Sequence, residues 1–214
     1  LRIKEILTDI LSNHVQGLKE DWLENDRKFY RIVITVDSDF DGYSSAKVVY
    51  HVLRSLGIPH SRIKLIFLSS FHDGDLSNTE ADYLFITDTA WGNVKFDLKK
   101  VKKILWIDHH DISLRDYLQA RTKYGNKLIF LNSVKASREL AGLSCGVLVY
   151  LIFMVLIEKY LELSNQNKFF VKSSINNEVQ LEALLSMYSD YSDTENYIGI
   201  MKGLYEVQSY PPLY

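Results

Sequence analysis

Apolar residues fall into short runs over the first two thirds of the chain and into longer ones after that. Ile3, Ile6, Leu7, Ile10 and Leu11 recur at helical spacing, which predicts an N-terminal helix within residues 1–30 that frays into a charged segment. Arg31 to Val36 reads as a first strand. Tyr43 to Leu56 carries Ala46, Val49, Tyr50 and Leu53 at three-to-four spacing and predicts a helix, closed by Gly57 with Pro59 just beyond. Ile63–Ser69, Tyr83–Thr87, Ile104–Ile107 and Leu128–Leu131 are short, apolar and rich in β-branched or aromatic residues, as strands buried on both faces are. Alternation of helices with strands predicts an α/β fold, with a mainly parallel sheet of about five strands flanked by helices.

The last third predicts a C-terminal helical portion. Leu143 to Leu163 is one long apolar helix, residues 164–177 a polar connector, and Val179–Tyr188 and Tyr197–Val207 two further helices. The expected organisation is therefore an N-terminal helix (1–30), an α/β core (31–135) and a helical part (136–214), without repeats or low-complexity tracts.

Composition narrows the function classes only a little. Of 214 residues, 47% are hydrophobic and 24% charged, and 25 Lys and Arg against 27 Asp and Glu leave a net charge of -2. No global basic signal marks a long nucleic-acid footprint, although bound divalent cations would reverse the field around an acidic site. A single cysteine, Cys145, excludes an internal disulfide, and no secretory apolar stretch opens the chain, so the expected location is intracellular and cytoplasmic. The apolar run from Val147 to Ile157 is too short for a membrane span.

Candidate chemistry gathers where the strands end, the edge at which open parallel sheets place their sites. The first strand runs into Asp37, Asp39 and Asp41 on alternate residues and stops at Gly42. The strand ending at Thr87 delivers Asp88, and the one ending at Ile107 delivers Asp108-His109-His110-Asp111. Crowded carboxylates repel one another and lose hydration, a cost that a divalent cation offsets. Asp with His, and no thiolate cluster, suits Mn²⁺ or Mg²⁺. Asp88, the lone acid at the middle strand end, is the natural bridge between two cations. Neighbours on an extended segment point in opposite directions, so one of His109 and His110 should ligate and the other donate to a phosphate or leaving group. Ser44 and Ser45 open the helix after Gly42, where N–H groups favour a phosphate as well as a cap, and Arg138 is a further phosphate candidate. His72 and Asp73-Gly74-Asp75 read as a surface turn, and the run Lys99, Lys100, Lys102, Lys103 as a solvated helix face.

Asp39-Phe40-Asp41-Gly42, Asp88 after a strand and Asp108-His109-His110 after the next resemble the DHH phosphoesterase superfamily. Asp37 to Tyr50, the spacing to Leu56-Gly57, and Ala141-Gly142-Leu143-Ser144-Cys145-Gly146-Val147 are most similar to its RecJ-like exonuclease branch. The resemblance, over about residues 25–195, implies that Asp39 binds one metal and Asp41 the other. It makes Asp88 the bridge and His109 a ligand, with His110 and Asp108 nearest the chemistry. The fourth motif of the family falls on Asp190, with Asp193 the alternative. Many relatives carry a histidine two or four residues before the Asp39 position, where this chain has Asp37 and Thr35, so Asp37 is a substituted ligand or supports one. The implied activity is a 5′-end exonuclease on single-stranded DNA or RNA, using two Mn²⁺ or Mg²⁺. Alternatives within the superfamily are a nanoRNase acting on short oligonucleotides, a cyclic-dinucleotide phosphodiesterase and, more weakly, an inorganic pyrophosphatase. Outside the enzymes stands a non-catalytic replication or repair scaffold. No Gly-Gly-Gly-His stretch marks the C-terminal substrate-binding domain usual in the family, so a partner or other element is expected to grip the substrate.

Overall fold

A computed structural model describes residues 31–55, 58–68, 74–97, 99–138, 140–164 and 178–189. Among them a five-stranded sheet runs in the order β2-β1-β4-β6-β7, every pairing parallel. Its strands are β1 (Ile32–Val36), β2 (Ile63–Phe67), β4 (Ala81–Thr87), β6 (Val101–Asp108) and β7 (Leu128–Asn132). Two short strands, β3 (Gly74–Leu76) and β5 (Val94–Phe96), pair with each other in a separate parallel ribbon that the sequence pattern did not predict. The helices are α1 (Phe40–Ser55), α2 (Leu114–Tyr124), α3 (Ser133–Ala136), α4 (Cys145–Ser164) and α5 (Glu178–Ser189). The expected helices in 1–30 and from Tyr197, and the polar connector, lie outside the described residues.

Strand alternation sends each apolar run to two cores. Ile32, Ile34, Val36, Tyr83, Phe85, Leu105, Ile107, Ile129 and Leu131 join one cluster with buried residues of α1, α4 and α5. Val33, Leu84, Ile86, Ile104, Trp106, Leu128 and Phe130 join the other, where Trp91 stacks on Phe130 with ring centroids 5.0 Å apart. A helix apolar on all sides is buried on all sides, and α4 packs against α1, α5 and β6 with Cys145 to Val155 shielded throughout. No helix among the described residues is long and apolar enough to cross a membrane.

The lysine run is not a helix face. Val101 to Lys103 lie in β6, and Lys102 pairs with Asp82. Lys102 is exposed near the start of the strand while Val101 and Ile104 are buried, so a strand end accommodates residues whose charges alone suggested a helix surface.

One topological feature positions the site. From β1 the chain moves outward to β2 and then crosses back over β1 to β4, after which β6 and β7 continue the other way. The connections diverge between β1 and β4, and the carboxyl ends of such a strand pair are the usual ligand position in open α/β sheets.

Candidate metal centre

Asp39 opens α1 as its cap. Its side chain accepts from Gly42 N at 2.8 Å, satisfying an N–H that the helix leaves unpaired. Asp37 is buried against the same turn and accepts from Ser38 N at 2.6 Å. Gly42 makes that packing possible, because a Cβ there would lie 2.3 Å from Asp37 Cβ and 2.9 Å from its Cα.

Asp41, in the first turn of α1, is 3% exposed and anchors α4. Its Oδ2 accepts from Cys145 N at 2.8 Å, and its Oδ1 from Gly146 N at 2.9 Å and Ser186 Oγ at 2.6 Å. Ser186 also bonds to Ser144 at 2.6 Å. A carboxylate at a helix N-terminus satisfies free N–H groups and the helix dipole together. Three of its roughly four lone-pair positions are thereby engaged, leaving about one for a cation. Burial raises its pKa above the usual carboxylate value despite these donors.

Asp88 follows β4 with φ 55, a left-handed backbone uncommon outside glycine and tolerated best by Asp and Asn. The sheet order places β4 between β1 and β6, so Asp88 stands between Asp41 and the histidines. His109 Nε2 lies 3.1 Å from Asp88 Oδ1 and 3.8 Å from Asp41 Oδ2. Burial, and then the charges of Asp41 and Asp39, push the Asp88 carboxyl up to about 7 against the pull of His109.

Ligand atoms of Asp88, His109 and His110 all lie within 4.8 Å of one another. Both histidines therefore reach one cluster, contrary to the expectation that neighbours diverge. β6 ends at Asp108, so strict strand alternation no longer applies, and the two rings meet edge-on with centroids 5.0 Å apart. His110 Nδ1 bonds to Asp108 Oδ1 at 2.7 Å, and this raises the His110 pKa. Asn132, which the motifs did not single out, braces the pair by donating to His110 O at 2.8 Å and Asp108 Oδ2 at 3.4 Å. A carboxylate behind a ligating or proton-donating histidine fixes its orientation.

Ser44 and Ser45 are fully buried and offer no surface to a phosphate. Ser45 Oγ donates to Gly42 O and meets Thr87 Oγ1, both at 3.0 Å, which ties α1 to β4. Arg138 is exposed between α3 and α4. His72 and Asp73 lie outside the described residues, as do Asp190 and Asp193, and Asp75 is exposed in β3 rather than in a turn.

A metal ion fits this donor set. Ligand atoms of Asp88, His109 and His110 lie close enough to hold one, and the burial that raises the Asp88 carboxyl is a cost that a cation would offset. No protein-family model matches the chain, and no curated protein matches it either. The likeness to DHH phosphoesterases thus rests on the sequence motifs.

A pH dependence follows for the metal-free protein. Folded Asp88 keeps its proton up to about 7, whereas an unfolded aspartate releases it near 3.8. Folding therefore binds a proton between these limits, so stability is greatest on the acid side and falls as pH rises through the window. Thermal melts from pH 5 to 8 should decline without metal and recover with Mn²⁺ at pH 8. A flat profile would contradict the burial of this carboxyl.

Proposed function

We propose that the chain is a divalent-metal-dependent phosphodiesterase of the DHH type that cleaves single-stranded nucleic acid, in the manner of RecJ-like 5′ exonucleases. One observation carries this: Asp41, Asp88, His109 and His110 converge at the switch point of a parallel sheet. Asp88 and His109, with the remaining lone pair of Asp41, would hold Mn²⁺ or Mg²⁺, and Asp39 stands nearby for a second ion. Such ions, when bound, polarise the phosphoryl group and lower the pKa of water. His110, oriented by Asp108, is the residue to protonate the leaving oxygen. Phe40, Tyr43 and Phe67 are exposed at the same carboxyl edge, and bases stack on such rings whatever their sequence.

The test is a panel with Mn²⁺: 5′-labelled single strands of graded length, cyclic dinucleotides and pyrophosphate. Stepwise release of mononucleotides from the 5′ end of long strands supports the exonuclease. Cleavage confined to dinucleotides or cyclic dinucleotides moves the assignment to those branches, and phosphate release from pyrophosphate alone makes it a pyrophosphatase. A second reading, a non-catalytic scaffold, is favoured by the engagement of Asp41 as a cap for α4. Inactivity on the whole panel would establish it.

A further inference from the structure

Outside the ligand set, one buried residue ties the ends of two strands to the first turn of α1. Cys145 N donates to Asp41 Oδ2 at 2.8 Å, in the first turn of α1. Cys145 Sγ accepts from Asp88 N at 3.1 Å, at the end of β4. The thiol in turn donates to Ile107 O at 3.3 Å, one residue before Asp108 in β6. Asp88 N reaches Ile107 O as well, at 3.1 Å, so the sulfur closes a small triangle between two neighbouring strand ends. Within that triangle Asp88 holds its φ of 55. Off-region backbone at a site persists only where the surroundings over-determine it, and these contacts do so.

We infer that Cys145 is a positioning residue for the candidate centre: its thiol sets the backbone of Asp88 against that of Ile107, while its N–H sets the carboxylate of Asp41. The side chain is completely buried, so its part is played through hydrogen bonds and not through exchange, oxidation or attack. Packing alone would be served by any small apolar group. The paired acceptor and donor contacts of the sulfur are what alanine cannot reproduce and serine can. Replacing the side chain also leaves the backbone N–H to Asp41 in place, so the thiol contacts are isolated from the α4 cap.

The inference has a part that needs no metal and a part that rests on the metal reading above. In metal-free protein followed by NMR, Cys145→Ala should speed exchange of the Asp88 amide by roughly three- to tenfold, the loss of one neutral hydrogen bond. Amides in the middle of β1 should not change, and Cys145→Ser should restore most of the protection. In calorimetric titration with Mn²⁺, the alanine variant should bind roughly tenfold or more weakly, as when a ligand loses its supporting partner. The serine variant should bind close to the parent, and the EPR line shape of bound Mn²⁺ should broaden only for alanine. Unchanged Asp88 exchange in Cys145→Ala, or equal losses in alanine and serine, would overturn the inference. Accelerated exchange in a protein whose parent binds no divalent ion would leave the positioning role standing and remove the metal reading.

Discussion

Asp88→Asn is expected to abolish divalent-cation binding and any phosphodiesterase activity while leaving the metal-free protein at least as stable as the parent at pH 8. The two effects have one cause. Asp88 is buried to 1% exposure among Asp41 and Asp39, and ionising its carboxyl there is so unfavourable that the pKa rises to about 7. Asparagine keeps the volume and tolerates the left-handed backbone, but carries no charge to lose hydration. The metal-free protein should gain on the order of a few kcal/mol at pH 8, less whatever the amide fails to bond. Activity should fall by about 10³-fold or more, the several kcal/mol of charge stabilisation that an ion supplies. Calorimetric titration, the panel assay and melts at pH 5 and 8 check all three. A variant less stable at pH 8 than at pH 5, relative to the parent, would mean that Asp88 is not strained by its charge.

Gly42→Ala is expected to destabilise the protein although alanine is the better helix former. Inside α1 the exchange should favour the helix by about 1 kcal/mol. The new methyl would instead meet Asp37 Cβ at 2.3 Å and Cα at 2.9 Å, atoms near the backbone that cannot swing aside. Overpacking of this kind costs about 1–3 kcal/mol, enough to reverse the sign. The first turn of α1 must shift, and it carries both Asp39 and Asp41, so Mn²⁺ affinity should fall with the urea midpoint. A midpoint at or above that of the parent would show that the turn gives way without loss.

Much of the sheet and its acidic edge was legible in the sequence because both are local. Apolar runs ending in Asp37, Asp88 and Asp108 needed only strand periodicity to be placed at one edge. Long α4 was legible from its unbroken apolar run. The ribbon of β3 and β5 was not, since three-residue strands carry too few positions to show a period. Nor was α2, whose sequence LRDYLQARTKY is mostly polar and buries only Tyr117 and Ala120. The deeper miss was the support of the site. Asp41 meets Cys145, Gly146 and Ser186 at separations of 104, 105 and 145 residues, and no spacing rule spans such distances. Ser44 and Ser45 misled for the complementary reason. A serine at a helix start offers the same local signal whether it faces solvent or, as here, a neighbouring strand.

Those separations also bear on how the protein reaches its native state. The bonds of Asp41 cannot form until the N-terminus of α4 and the middle of α5 have docked on α1. Contacts between segments far apart in sequence carry a large loop-closure cost and tend to be made late. An intermediate with β1, β4 and β6 paired, but α4 undocked, would hold the right acids without the right geometry. Acquisition of tight Mn²⁺ binding during refolding would then time the docking of α4, separately from formation of the sheet.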